Sequence, residues 1–287
     1  MKIFITGATG FIGRYIVNKL LEDKSIHIVV PTRNIDKGKR LFNKENIKFI
    51  YFQEDLEHLV KKEKPDIVIN LLGILTENRK KGIIYEKVHY EYTKRLVEGA
   101  VSSGVSKFLQ MSALGASIDA ESRYHKTKAL AEEIVISSGL NFAIFRPSII
   151  LGREQKLFED FKKLSKISPF FLAPTGKVQP FHIYDVRDIF IKNIFEDFEN
   201  KIWSLCGERI ISYRELFEFA LKYIGINRKV IQVPNWFFIP LLPIFELLQN
   251  PPLTKEQYLM LKKDNVCNGE NEITKKVLGK LRDPFDI

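Results

Sequence analysis

The chain has 287 residues, 45% hydrophobic and 28% charged, enough to bury one substantial core or one core with a smaller lobe, which excludes a disordered tail. Lys plus Arg is 45 against 35 Asp plus Glu, a formal charge of +10. That excess fits nucleic acid, an anionic membrane surface, a phosphorylated cofactor or plain lysine enrichment, and does not choose among them.

In chain order, MKIFITGATG carries one basic residue and then an apolar strand running into glycines. A signal peptide needs an unbroken apolar stretch and a small-residue cleavage site, so the mature chain is expected to start here. Through residue 150, short β-branched or aromatic runs alternate with helical patterns: KIFIT, FIGRYIVNKLLED, HIVVPTR, IKFIYF, PDIVINLLG, EKVHYEYTKRLVEGAVSSG, VSKFLQMSA, a helix from about Arg123 to Ser138, and LNFAIFRPSIILG. Apolar strands separated by helices predict an α/β fold, a doubly wound parallel sheet covered on both faces. Glycines are read as the joints, at Gly99 before AVSSG and in SSGLN.

Beyond residue 150 the pattern predicts the last sheet elements and a smaller, mixed, substrate-side lobe. QKLFEDFKKLSKI reads as a helix, SPFFLAPTGKVQPFH as turn-like, and a helix begins near Val186 before a short WSLCGE strand. ISYRELFEFALKYIG reads as a helix with Ser212 as N-cap, VIQVP as a strand, and TKEQYLMLKKDNV as a helix with Thr254 and Gln257 at capping-box spacing. The most apolar stretch, around 233–250, is cut by Pro240 and Pro243 and contains Glu246, so it cannot span a bilayer. Core packing of the lobe is its first reading, and contact with a membrane surface its second. Cys206 and Cys267 lie 61 positions apart, outside any CxxC or His cluster. Neither a disulfide-built fold nor a zinc site is expected, and a reducing compartment fits best.

The first strand ends in TGATGFIGR, setting Gly7, Thr9, Gly10, Phe11, Ile12 and Gly13 at a turn and the first turn of a helix. There, backbone can approach a pyrophosphate and direct free N–H groups at it. The second strand ends in Thr32 and Arg33 where a binder of the unphosphorylated cofactor places a carboxylate, which favours NADP over NAD. Lys37, Lys39 and Arg40 read as a solvated basic face. Asp55, beside Leu56, is placed either to meet the adenine or to cap a helix, and Asn70, Leu71, Leu72 and Gly73 lie where the nicotinamide ribose would pass.

Ser112 closes a strand, and Tyr124 and Lys128 follow in YHKTK, one turn apart on one helical face. Tyrosine is a poor acid or base at neutral pH unless its phenolate is stabilised, and a lysine ammonium one turn away, near a positive nicotinamide, would lower its pKa. Ser112 can hydrogen-bond a carbonyl oxygen while Tyr124 supplies the proton and a nicotinamide the hydride. His27, His58, His89 and His125 read as structural, and His182 as structural or facing the cleft. No metal spacing and no nucleic-acid module appears.

These motifs resemble the short-chain dehydrogenase/reductase superfamily, and within it the atypical branch that includes the accessory Rossmann subunit of respiratory complex I and its bacterial relatives. The matching segments are INLLGIL (69–75), VHYEYTKRLVEGA (88–100), MSALGA (111–116), RPSIILGRE (146–154), QPFHIYDVRD (179–188) and PPLTKEQYLMLKKDNV (251–266). The resemblance implies a dinucleotide site lined by the glycines, Arg33 and the segment with Pro147 and Ile149, and Ser112, Tyr124 and Lys128 at the active-site positions. Ala131 departs from the Gly usual among relatives. The implied function is an NAD(P)-dependent oxidoreductase acting on an apolar carbonyl or alcohol, or alternatively a non-catalytic or weakly catalytic cofactor-holding accessory protein, with sugar-nucleotide epimerase chemistry a third and weaker option. The expected location is cytoplasmic or peripheral at the inner face of the membrane. Expected partners are a small, lipophilic or quinone-like substrate and a respiratory complex.

Overall fold

The computed structural model describes residues 1–198, 200–248 and 251–287. β1 (Lys2–Thr6) and α1 (Phe11–Leu20) open the chain, followed by β2 (His27–Thr32), α2 (Ile35–Leu41), β3 (Ile47–Tyr51), α3 (Leu56–Glu63) and β4 (Ile67–Asn70). A π-helical turn over Glu86–Glu91 runs into α4 (Tyr92–Ser102), and β5 (Lys107–Met111), α5 (Arg123–Ile136) and β6 (Phe142–Pro147) follow. Next come β7 (Ile150–Leu151), α6 (Lys156–Leu164), β8 (Phe170–Pro174), β9 (Lys177–Val178), β10 (Phe181–His182), α7 (Ile183–Phe195) and β11 (Lys201–Leu205). β12 (Ile211–Ser212), α8 (Tyr213–Tyr223), β13 (Lys229–Val233), a 3-10 helix over Asn235–Leu241, α9 (Leu242–Glu246), α10 (Lys255–Leu261) and α11 (Glu272–Leu278) complete it.

Seven parallel strands form the central sheet in the order β11-β6-β5-β4-β1-β2-β3. Alternation along each strand divides the core. Ile3, Ile5, Val30, Phe145 and Trp203 face α1 and α7, while Phe4, Val29, Val68 and Phe108 face α3, α4 and α5. The strand order reverses between β1 and β4, so the crevice beyond their carboxyl ends is the natural ligand position of such a sheet. The smaller lobe gathers Phe158, Phe161, Phe171, Ala220, Leu221 and Val230 around α6, α8 and the β8–β13 pair.

Several expectations need correction. The segment read as turn-like contains β8, which pairs with β13 from Phe170↔Lys229 to Pro174↔Val233. Its partner lies far along the chain, and the flanking prolines mimic a loop. Gly99 is a helix contact and not a joint: a Cβ there would meet Glu57 O and Val60 Cβ of α3 at 2.9 Å. The left-handed turn falls at Gly104 instead, φ +67. α7 begins at Ile183 because the His182 side chain accepts from Tyr184 N, and the same imidazole meets Asp286 O, which makes it structural. α10 stops at Leu261, short of the expected helix end, although both predicted caps form, Ser212 with Glu215 and Thr254 with Gln257.

The cysteines overturn the redox expectation, for Cys206 and Cys267 form a disulfide. Sequence distance concealed this because the tail returns onto the end of β11. There Asn265 accepts from Ser148 Oγ, Cys267 N donates to Gln179 Oε1 and Asn271 Nδ2 donates to Cys206 O. Over its described part, 233–248, the apolar stretch is likewise mostly not core. Phe238 and Leu242 turn inward, whereas Trp236, Phe237, Ile239, Ile244, Leu247 and Leu248 are exposed. Positions 249 and 250 lie outside the described residues.

Candidate active site

The turn after β1 is built by close backbone approach. Gly7 has φ +72, and a Cβ on it would lie 2.8 Å from Leu71 O, across the β1–β4 switch point. A Cβ on Gly13 would lie 2.5 Å from Gly7 O and 2.6 Å from Ala8 Cα, so any side chain there would push α1 off the turn. Gly10 begins α1 with no side-chain cap, leaving the first-turn N–H groups of Phe11 and Ile12 without a side-chain acceptor. Backbone donors at a helix start with no capping side chain fit a pyrophosphate.

At the far end of the crevice Arg33 is exposed just past β2, and Asn34 caps α2 by accepting from Lys37 N. Asp55 caps α3, its Oδ1 accepting from His58 N at 3.1 Å, so the capping reading is met. The Leu56 side chain is buried among the α3–α4 core residues, so only its backbone could serve a ligand. Ile149 packs toward the lobe and its carbonyl accepts from Phe181 N. Pro147 O accepts from Leu114 N, which fixes the loop after β5 against β6.

Asn70 fastens the crevice floor. Its Oδ1 accepts from Thr6 Oγ1 at 2.7 Å and from Leu72 N at 3.2 Å, and its Nδ2 donates to Gln110 Oε1 and Thr93 Oγ1. Every polar atom of this buried amide is therefore used, which locks Leu71, Leu72 and Gly73 in place. Ser112 N donates to Phe145 O at 2.7 Å, while its buried Oγ has no partner among the described residues. An unpartnered buried hydroxyl at a strand end is costly unless a ligand completes it.

On α5, Lys128 is 3% exposed and donates from Nζ to Met111 O at 3.0 Å and Leu72 O at 3.4 Å. The ammonium thus bridges the Ser112 strand to the loop before Gly73. Burial pushes the Lys128 pKa down to about 8, opposed by the Glu132 carboxylate, which is itself paired with Arg146. Burial alone pushes the Tyr124 phenol up to about 12. In the chain itself Tyr124 is therefore a protonated donor; the expected lowering by Lys128 belongs to the site with a positive nicotinamide beside it.

Three contributors escaped sequence reading. His89 stacks edge-on to the Tyr124 ring, centroids 5.3 Å apart. Its Nε2 accepts from Ile74 N, so Nδ1 carries the proton toward Thr127 Oγ1, and burial holds the ring neutral with its pKa lowered to about 2. Its place on the buried face of the 86–104 pattern, four residues before Thr93, was the available signal. Glu256 Oε2 accepts from Arg123 N at the start of α5, and Met260 packs with Tyr85, Ala113 and Tyr124, so α10 covers the tyrosine. Nothing local marks residues more than 130 positions away as its cover. A separate cavity of 470 Å³, lined by Arg14, Tyr15, Arg153, Tyr184 and Arg187, lies outside this set of side chains.

A model of the NAD dependent epimerase/dehydratase family matches residues 3–174. The chain belongs to the NAD dependent epimerase/dehydratase family. It is 30% identical over 271 residues to the Dictyostelium discoideum protein named NADH dehydrogenase (ubiquinone) 1 alpha subcomplex subunit 9, mitochondrial, covering 88% of this chain and 73% of that one. The Arabidopsis thaliana protein of the same name is 28% identical, with 80% of this chain and 60% of that protein covered. The chain therefore spans only about three fifths of the plant protein's length. In three dimensions it is similar to the UDP-glucose 4-epimerase of Thermus thermophilus solved with NAD, at 16% identity and a TM-score of 0.66 over 91% of this chain and 97% of that one. That likeness establishes the fold.

Proposed function

We propose that the chain is an NADP-dependent oxidoreductase that moves hydride between the cofactor and an apolar carbonyl or alcohol. The observation that carries this reading is the unpartnered, buried Ser112 Oγ, one residue from the Met111 carbonyl that holds Lys128 and beside the α5 helix that carries Tyr124. The glycine turn and uncapped α1 would hold the pyrophosphate, Leu71 to Gly73 and Pro147 would flank the nicotinamide, and Arg33 would pair with the 2′-phosphate. Bound there, a reduced nicotinamide supplies hydride. Ser112 donates a hydrogen bond to the substrate oxygen and Tyr124 gives it the proton. A phenol pushed up to about 12 is protonated at neutral pH, so it stands ready as the proton donor when the carbonyl is reduced and takes the proton back when the alcohol is oxidised. Lys128, protonated below about pH 8, supplies positive charge that offsets the phenolate left behind. In this reading residues 1–150 form the dinucleotide side and 151–287 complete the sheet and face the substrate.

The test is NADPH oxidation by wild type and Tyr124→Phe against a panel of aliphatic, aromatic and quinone carbonyls. Turnover should disappear in the variant with NADPH affinity retained; unchanged turnover would reject the role of Tyr124. A second reading, a cofactor-holding accessory protein of a respiratory complex, is favoured by the α10 cover over Tyr124 and by the names of the relatives. It predicts a dinucleotide retained through purification, seen by native mass spectrometry, and oxidised by none of the panel.

A further inference from the structure

We infer that the ridge from Trp236 to Leu248 is a docking surface for an anionic lipid bilayer. Trp236 is 67% and Leu247 86% exposed, and Phe237, Ile239, Ile244 and Leu248 are exposed beside them in the chain, with Glu246 the one charge between 236 and 248. Isolated exposed apolar residues are ordinary, but this many along thirteen positions are not.

Both the shape and the charge select lipid. Pro240 and Pro243 break the segment into a 3-10 turn and a five-residue helix, giving a short folded ridge in place of the continuous amphipathic helix that fills a protein groove. Neither piece approaches the length needed to cross a bilayer, so the ridge would lie in the interface, where tryptophan is favoured. Between residues 228 and 263 the cations are Arg228, Lys229, Lys255, Lys262 and Lys263 against Glu246 and Glu256. Arg228, Lys229, Lys255 and Lys263 are exposed and have no ion pair among the described residues; Lys262 pairs with Glu121. Basic residues flanking an apolar ridge match an anionic headgroup layer.

The ridge is also joined to the site. Asn235 Nδ2 donates to Leu261 O at 3.1 Å, at the end of the helix whose Met260 covers Tyr124. A bilayer held by residues 236–248 would therefore meet the molecule on the side of that cover. This inference stands on surface geometry and does not require catalysis.

The molecule supplies its own probe, because Trp203 is buried and Trp236 is exposed. The full chain is mixed with phosphatidylcholine vesicles and with vesicles containing about 30% phosphatidylglycerol, and followed by tryptophan emission and co-sedimentation. A blue shift and sedimentation with the anionic vesicles, both reduced by salt, are expected. Trp236→Phe should lose the shift and keep sedimentation. Ile244→Glu with Leu247→Glu should weaken sedimentation by about tenfold or more while leaving the unfolding midpoint in place. Absence of the shift with anionic vesicles would overturn the proposal, as would undiminished sedimentation of the double variant. A lipid-free dimer that the double variant dissolves would assign the ridge to a second copy instead.

Discussion

Replacing both cysteines by alanine, Cys206→Ala with Cys267→Ala, tests whether the C-terminal segment is covalently stapled to the sheet. The half-cystines are 61 residues apart. Opening a loop of that length restores denatured-state entropy worth about 4 kcal/mol at room temperature. Loss of packing against Leu114, on the loop just after Ser112, adds to the effect. Urea unfolding should show the variant less stable by that order. Thiol titration of unreduced protein in denaturant should find no free thiol, and two after reduction. Because both sulfurs belong to buried residues, 0% and 1% exposed, reductant should act slowly on the native chain and quickly on the unfolded one. Two free thiols in the unreduced, denatured protein, or a double variant as stable as wild type, would refute the staple.

Other outcomes follow from the site. Gly13→Ala places a methyl within 2.6 Å of turn backbone, and should cost about 1–3 kcal/mol in thermal unfolding together with most dinucleotide affinity; unaltered melting and binding would contradict the close approach. Lys128 releases its proton near pH 8 in the folded chain but near 10.5 unfolded, so the unfolded state binds more protons between these values and stability rises with pH across that window. Lys128→Met should accordingly be more stable than wild type, on the order of 2 kcal/mol at pH 7 after the lost hydrogen bonds are counted, and because the linkage is worth about 3 kcal/mol the gap should shrink with pH and reverse before pH 10.5. A gap constant from pH 7 to pH 10.5 would rule this out. Arg33→Gln should weaken NADPH by about tenfold and leave NADH nearly unchanged, whereas equal losses for both would remove Arg33 from cofactor choice.

The parallel sheet and its order of helices were legible because apolar strands and 3.6-residue periodicity are local signals, and the glycine turn was legible because it needs particular residues at particular positions. Gly99 shows the limit: glycine marks both turns and close helix contacts, and only the position of α3 distinguishes them. β8 and β13, Cys206 and Cys267, and Met260 over Tyr124 are pairings across dozens of residues, fixed by how the second half folds back. Ser112, Tyr124 and Lys128 were singled out by spacing, whereas the burial of their polar groups was not legible. Burial, a property of the assembled fold, raises the tyrosine pKa in the chain alone and lowers that of the lysine. The exposed Trp236 to Leu248 ridge looked like core because composition alone does not say which way a side chain points.

The central claim is that the turn after β1 and Arg33 hold a phosphorylated dinucleotide. Calorimetric titration of the purified chain with NADPH and with NADH tests it most directly. Saturable one-to-one binding of both, tighter for NADPH, is the predicted result, and saturable binding of neither would contradict the account.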